Sequence, residues 1–376
     1  MSLQDSFDQQ QRLQALQQWS RQALTIHLGS DPGPLHAASL GGDASFRRYF
    51  RCTVNGDTIL LVDAPPAREN NPAFVKAAAE FRAAGLCTPT IIATDLDQGF
   101  MILEDFGDLL YLSCLQQARQ GENMARVQTL YRQATDALLA LQANDLPSEL
   151  PLYSRELLNQ EMMLFDQWFC EGMLGMTLSA DEQTLLADTR DILVNSALAQ
   201  PQTRVHRDYH SRNLMVRRAA DGSFPEDMAP GVIDFQDAVI GAATYDLVSL
   251  LRDCYIVWPA SQVSDWVGAY ARQARGRSII PASYTDGQFQ RDFDLMGLQR
   301  HIKVLGIFCR LALRDGKVRY LDDLPVVINY VLEVAALHPE MADFLAWFRQ
   351  GPAPMMLARL AAAGSKGAVG HKSASI

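Results

Sequence analysis

The sequence predicts an α+β chain of two lobes, a small β-rich N-terminal lobe and a larger, mainly helical C-terminal lobe. Three observations carry this. Its 376 residues exceed the roughly 100–200 that one domain usually holds. Short strand-like runs with one helix among them crowd residues 37–104. From residue 124 onward helical periodicity dominates, broken by one β-like island at 204–237. The expected divisions are an N-terminal helix over 1–30, an N-terminal lobe over 31–108, a C-terminal lobe over 109–355 and a flexible tail over 356–376.

Each element has a local reason. Over residues 7–28, Leu13, Leu16, Trp19, Ala23 and Leu24 recur at spacings of three and four, giving a helix with one apolar stripe. Ser30-Asp31-Pro32-Gly33-Pro34 ends it. Residues 37–64 read as strands, and Asn55-Gly56 between two strand-like runs is a two-residue hairpin signal. Asn71 before Pro72 reads as a helix cap, and Gly85 as the stop of that helix. Two strands are expected near 90–94 and 100–104. Helices follow over MARVQTLYRQATDALLALQA and SRELLNQEMMLFDQWFCEGM, and Ser179 with Glu182 is a capping-box signature. Within the island, LMV and GVI read as the arms of a hairpin whose connector, AADGSFPEDMAPG, is solvent-exposed. Helices resume from 244 to about 349, and the small polar tail GSKGAVGHKSASI is expected to be disordered.

Composition excludes several classes. With 48 % hydrophobic and 20 % charged residues, the chain is neither wholly disordered nor collagenous. Its net charge of −10 speaks against nucleic acid or an anionic membrane as a partner, because phosphates are bound by concentrated Lys and Arg. The six cysteines form no CxxC pair and read as buried thiols in a reducing compartment. No run approaches the ~18 apolar residues of a membrane span, and the N-terminus carries no hydrophobic signal segment. A cytoplasmic monomer without nucleic-acid or membrane partner is the expectation.

The chemistry lies in His206-Arg207-Asp208-Tyr209-His210-Ser211-Arg212-Asn213, which fits the pattern H-R-D-x-x-x-x-N of phosphoryl-transfer catalytic loops. Such transfer needs a carboxylate to orient the attacking hydroxyl and take its proton, which Asp208 supplies. It also needs oxygen ligands for Mg²⁺ on the phosphates. Asn213 follows five residues on, and Asp234 stands at the end of the apolar strand Val232-Ile233. An HRD triplet occurs by chance, and a lone aspartate is usually a solvated side chain. The weight comes from the order of all three in a strand-loop-strand context.

The β-rich lobe offers weaker candidates. Asp105-Phe106-Gly107 spells a metal-binding triplet but precedes the catalytic loop by about a hundred residues. It reads better as a strand running into a hinge, where Glu104 and Phe106 present backbone groups to adenine. Gly41, Gly42 and Ser45 occupy the place of a phosphate-covering loop, although a Gly-Gly turn is more often a plain hairpin. The third strand carries Asp63 where a lysine is expected, so the cation on the nucleotide falls to the second strand, with Arg48 as the candidate beside Arg47 and Arg51. Glu80 is either the partner of that cation or a solvated helix charge.

With VIDFQDA and Gly241-Ala-Ala-Thr-Tyr245-Asp246-Leu247, the loop resembles the aminoglycoside phosphotransferase and choline kinase-like family over roughly residues 35–335. The resemblance implies a bilobal protein-kinase-like fold, ATP and Mg²⁺ as cofactors, and Asp246 with His206 as supports of the catalytic loop. The segment that binds protein substrates in protein kinases is missing. GGDASFRRYFR, LLVDAPP, YDLVSLLRDCY and QRHIKVLGIFCRL are most similar to the family's amino-sugar kinases. That implies phosphorylation of the C1 hydroxyl of N-acetylmuramate and N-acetylglucosamine in cell-wall recycling. Arg252 and Asp253 are then candidates for contacting the sugar, with Arg300, His301 and Lys303 on a later helix as a further wall, while Arg207 and His210 read first as orienting the catalytic loop and second as contacting the sugar. The alternatives are an aminoglycoside, choline or homoserine acceptor, or a silent nucleotide-binding protein, which the missing lysine would suit.

Overall fold

The computed structural model describes residues 3–41, 46–217, 223, 225 and 227–370. The chain opens with α1 (Leu3–Leu28), followed by β1 (Ala38–Ser39), β2 (Arg48–Val54), β3 (Asp57–Asp63), α2 (Asn71–Ala83), β4 (Ile91–Asp95) and β5 (Phe100–Glu104). The strands form one antiparallel sheet in the order β1-β2-β3-β5-β4. Asn55 and Gly56 close the β2–β3 hairpin at φ 52° and 94°, the two left-handed positions that a twisted two-residue turn requires.

α1 earns its place through its stripe. Leu16 and Leu24 share a core with Phe50, Cys52, Val54, Ile59, Leu61, Phe100 and Ile102, with Leu13, Trp19 and Ala23 partly buried against it. A leucine so buried contributes about 2 kcal/mol. The helix expected to stand apart over 1–30 is therefore part of the sheet's own core. The cap of α2 is Asn70 rather than Asn71, its side chain accepting from the Ala73 N–H at 3.2 Å. Asn71 instead donates to the Ala64 carbonyl at 2.7 Å.

Next come α3 (Tyr111–Gln120), α4 (Met124–Ala143) and α5 (Arg155–Leu164), which runs on as a π-helix over Phe165–Met173. α6 (Ala180–Ala199) begins at the Ser179–Glu182 capping box and leads to β6 (Gln202–Val205), β7 (Leu214–Met215), β8 (Gly231–Val232) and β9 (Val239–Ala242). β7 pairs with β8 and β6 with β9, both antiparallel. The rest is α7 (Tyr245–Leu251), α8 (Ala260–Gly276), α9 (Asp286–Asp315), α10 (Leu324–Ala335), α11 (Ala342–Gln350) and α12 (Pro352–Gly370). α12 runs through residues expected to be a flexible tail, with Ala353 and Met356 buried and an alanine run that favours helix behind them.

Two compact units result, Met1–Ser148 with Arg212–Ala238, and Glu149–Ser211 with Val239–Ile376. The boundary expected at 108/109 falls inside the first unit. The β7–β8 hairpin draws it there, through bridges Cys87–Gly231 and Leu110–Met215 and bonds from the Val232 N–H to the Cys87 carbonyl and from the Val216 N–H to the Leu109 carbonyl, both 2.8 Å. In the second unit α9 is buried on nearly every face. At Gly306 a Cβ would lie 2.3 Å from the Leu164 backbone, so α9 touches the chain backbone to backbone where α5 turns π-helical. Among the described residues no helix is long and apolar enough to cross a membrane.

Candidate active site

In the second unit β6 delivers the loop that begins at His206. Arg207 sits at φ 76°, a left-handed conformation that costs a non-glycine residue of order 1–3 kcal/mol. Asp246, at the start of α7, offsets that cost by accepting the N–H groups of His206 at 2.6 Å and Arg207 at 3.0 Å. Burial pushes the Asp246 carboxyl up to about 7, against those two bonds. The far end of the loop is held by Asp253, which accepts the Ser211 hydroxyl and, at 3.1 Å, the Ser211 N–H. The His206 ring is buried edge-on to Tyr209, and its Nδ1 faces the Asp208 N–H at 3.2 Å.

Asp208 lies between these anchors with its side chain 45 % exposed. The protein around it pushes its carboxyl up, but the charges of His210, Arg300, Lys303 and His206 outweigh that and hold it below its ordinary value. It is therefore an ionised acceptor near neutral pH. Behind the loop, Glu161 of α5 takes the Arg207 guanidinium, the Tyr153 hydroxyl and, at 2.8 Å, Lys303 of α9. Burial pushes Glu161 up, yet Lys303 and Arg207 keep it below its ordinary value. Arg207 thus braces the loop, and Asp253, expected against substrate, holds it as well. Arg252, expected likewise, pairs with Asp294 at 2.6 Å over the Phe293 ring, because a guanidinium this deep needs its own carboxylate. His210 stands edge-on to Tyr255 at 5.4 Å.

In the first unit the β7–β8 hairpin sets Asn213 against Asp234. The Ile233 N–H donates to the Asn213 carbonyl at 3.1 Å, and the Asn213 amide reaches Asp234 Oδ2 at 3.3 Å. Gln236 donates to Asp234 Oδ1 at 2.9 Å. Asp234 is exposed and stands at φ 65°, strain of the kind seen at functional positions. Phe235 behind it is buried against Phe74 and Phe81, at 4.9 and 6.1 Å between ring centroids.

The sheet sorts the three arginines of the second strand. Arg48 lies opposite Asp63 and, with Arg12 of α1, pairs with that fully buried carboxylate on the face that α1 covers. Arg51 pairs with Asp105 at 2.5 Å and Asp108 at 2.8 Å. Arg47, 3 % exposed, pairs with Glu69 at 3.3 Å over the Phe74 ring. Glu69 also accepts the Phe46 N–H at 2.8 Å, and its charge, like those of Arg47 and Asp234, reaches Tyr49. The expected cation, Arg48, is thus turned to Asp63, and its neighbour Arg47 is set with Glu69 on the Phe74 ring, which packs against Phe235 next to Asp234. Glu80, the expected partner, accepts from the Ser148 hydroxyl at 2.7 Å. Gly41 stands at φ 80°, whereas Gly42 and Ser45 lie outside the described residues. The Glu104 carboxylate accepts the Thr90 N–H and hydroxyl at 3.0 and 2.6 Å, and the Phe106 ring lies against Gly231.

Glu69, Glu161 and the place of Arg300 were not read from the sequence. A signal existed for Glu161, which shares the i, i+3, i+4, i+7 stripe of Leu158, Met162 and Phe165.

A sheet unit, a helical unit and this loop define a phosphotransferase of protein-kinase-like fold. Residues 36–280 match the phosphotransferase enzyme family, and the chain belongs to it. ATP is the co-substrate which that membership implies. The chain is 42 % identical over 311 residues to the N-acetylmuramate/N-acetylglucosamine kinase of Pseudomonas putida, covering 83 % of this chain and 86 % of that one. It is 39 % identical over 306 residues to the N-acetylmuramate/N-acetylglucosamine kinase of Neisseria meningitidis, covering 81 % and 87 %. Among solved structures, a Plasmodium vivax ethanolamine kinase matches with a TM-score of 0.55 at 10 % identity, covering 79 % of this chain and 82 % of that one, a likeness of fold alone.

Proposed function

We propose that this chain phosphorylates the anomeric C1 hydroxyl of N-acetylmuramate and N-acetylglucosamine with ATP, in cell-wall recycling. The observation that carries the chemistry is Asp208, an ionised and half-exposed carboxylate on a loop anchored at both ends. The substrate class rests on the two relatives of that name. Asp208 orients the acceptor hydroxyl and takes its proton.

Asn213 and Asp234 fit Mg²⁺: both offer hard oxygen donors, and Asp234 is already within amide reach of Asn213. Turning the Asn213 amide would present its oxygen instead of its nitrogen. When bound, the metal would neutralise charge on the phosphates. Mg²⁺ commonly keeps its waters and phosphate ligands, so two protein donors suffice. Arg47, braced by Glu69, replaces the missing third-strand lysine on the nucleotide phosphates. Glu104 and Phe106 offer backbone groups to adenine. His206, Arg207, His210, Asp246 and Asp253 position the loop.

The test is ³¹P NMR of the product from ATP and each amino sugar, with Asp208→Ala alongside. A C1 phosphate formed by the wild type and absent with Asp208→Ala is expected. Phosphate on another hydroxyl would reject the anomeric assignment. Turnover of an aminoglycoside, choline or homoserine in place of the sugars would reject the substrate. ATP binding without any transfer would point to a silent protein.

A further inference from the structure

Arg300 projects from α9 to within 4.0 Å of Asp208 Oδ1, with its own side chain only 12 % exposed. Its Nε donates to the Ser249 hydroxyl at 2.6 Å, and its guanidinium lies 5.9 Å from the Tyr245 ring centroid. Both anchors belong to α7. The other charges facing Asp208 differ in kind. His206 and His210 share its loop, and Lys303 on α9 and Arg207 are each set against Glu161 of α5. Asp246 of α7 is turned to the loop backbone. Like Lys303, which meets the Tyr153 and Tyr245 hydroxyls, Arg300 is tied by a neutral hydroxyl, and its guanidinium reaches the Asp208 carboxylate as an ion pair.

We propose that Arg300 is a positioning residue for phosphoryl transfer, fixing the orientation of the Asp208 carboxylate toward the acceptor hydroxyl. A half-exposed carboxylate rotates about its terminal bond and samples poses from which the acceptor proton is out of reach. A guanidinium set against one oxygen narrows that rotation. The fork is immobilised beforehand by Ser249 and Tyr245, so the ordering cost falls on folding rather than on each turnover. This rests on Asp208 being the base of the proposed reaction, but not on which hydroxyl compound is the acceptor.

The experiment compares kcat and KM for Arg300→Met, Arg300→Lys and Ser249→Ala, with Asp208→Asn as the inactive control. The assay uses whichever acceptor the wild type turns over, so a failure of the sugar assignment leaves it intact. Arg300→Met is expected to lower kcat roughly 100-fold while KM for acceptor and ATP stays within about threefold, the pattern of lost orientation. Arg300→Lys should recover about a tenth of wild-type kcat, and Ser249→Ala should lose about fivefold. A kcat within about twofold of wild type in Arg300→Met overturns the proposal, as does a loss confined to acceptor KM, which would make Arg300 a substrate contact. If Arg300→Met does not fold, unchanged kcat in both other variants overturns it.

Discussion

Glu161 on α5 and Lys303 on α9 meet at 2.8 Å, and the same carboxylate takes Arg207 of the loop that carries Asp208. Two helices and the catalytic loop are thus tied at one buried carboxylate. Glu161→Gln keeps the shape and removes the charge, leaving two buried cations short of a partner. Breaking a buried pair this way typically costs about 3–5 kcal/mol. We expect a loss of about that size in urea denaturation, with kcat reduced because the Arg207 side chain loses the anchor that ties the loop carrying Asp208 to α5. Wild-type stability in Glu161→Gln would contradict this.

Asp246 gives the stability a pH dependence of known sign. Its carboxyl stands at about 7 when folded, against an ordinary 3.8. A carboxyl raised by folding favours the fold while protonated. Its contribution is full below about pH 4 and is lost as pH rises through about 7, an effect of up to about 4 kcal/mol. Asp246→Asn stays neutral, so the decline between pH 4 and 7 should be smaller in the variant. The variant itself starts lower, by about 1–3 kcal/mol, because its amide nitrogen meets one of the two N–H donors. Denaturation midpoints across that range check it, and parallel pH curves would defeat it.

Local chemistry was legible in the sequence wherever a fixed spacing is needed. The Asn55-Gly56 turn, the Ser179 capping box and the loop from His206 to Asn213 all depend on neighbours within a few residues. What was not legible depends on tertiary contact. Arg47 and Arg48 are adjacent, and strand alternation separates their faces, but only α1 lying on one face decides which is used structurally. The acid expected on α2 beside the nucleotide cation was Glu80, whereas the one set against Arg47 is Glu69, ahead of that helix. The compact units divide elsewhere than at 108/109 for the same reason, because the β7–β8 hairpin bridges to Cys87 and Leu110, distant in sequence.

That sorting of faces predicts opposite outcomes for adjacent substitutions. Arg47→Met should raise the Kd for ATP about tenfold or more, since one charge-assisted phosphate contact is worth about 1.5–3 kcal/mol. Arg48→Met should leave ATP binding unchanged and lower stability by about 2 kcal/mol, because Asp63 is wholly buried and keeps only Arg12. Fluorescent-nucleotide titration and thermal melts separate the two. Reduced ATP affinity in Arg48→Met with none in Arg47→Met would reverse the assignment.

Gly231 in β8 is the other place where nucleotide binding can be probed from behind. A Cβ there would lie 2.6 and 2.8 Å from two carbons of the Phe106 ring, closer than carbon atoms approach. The ring is the movable end of a side chain, and it also lies 5.8 Å from the Arg217 guanidinium. Gly231→Ala should therefore displace Phe106 rather than unfold β8, costing about 1–2 kcal/mol. If the backbone of residues 104–106 receives adenine, the displaced ring should raise KM for ATP severalfold and leave that for the sugar unchanged. Gly231→Ala combined with Phe106→Ala relieves the clash, so stability should recover relative to Gly231→Ala alone. An unchanged KM for ATP in Gly231→Ala would remove this segment from the nucleotide site.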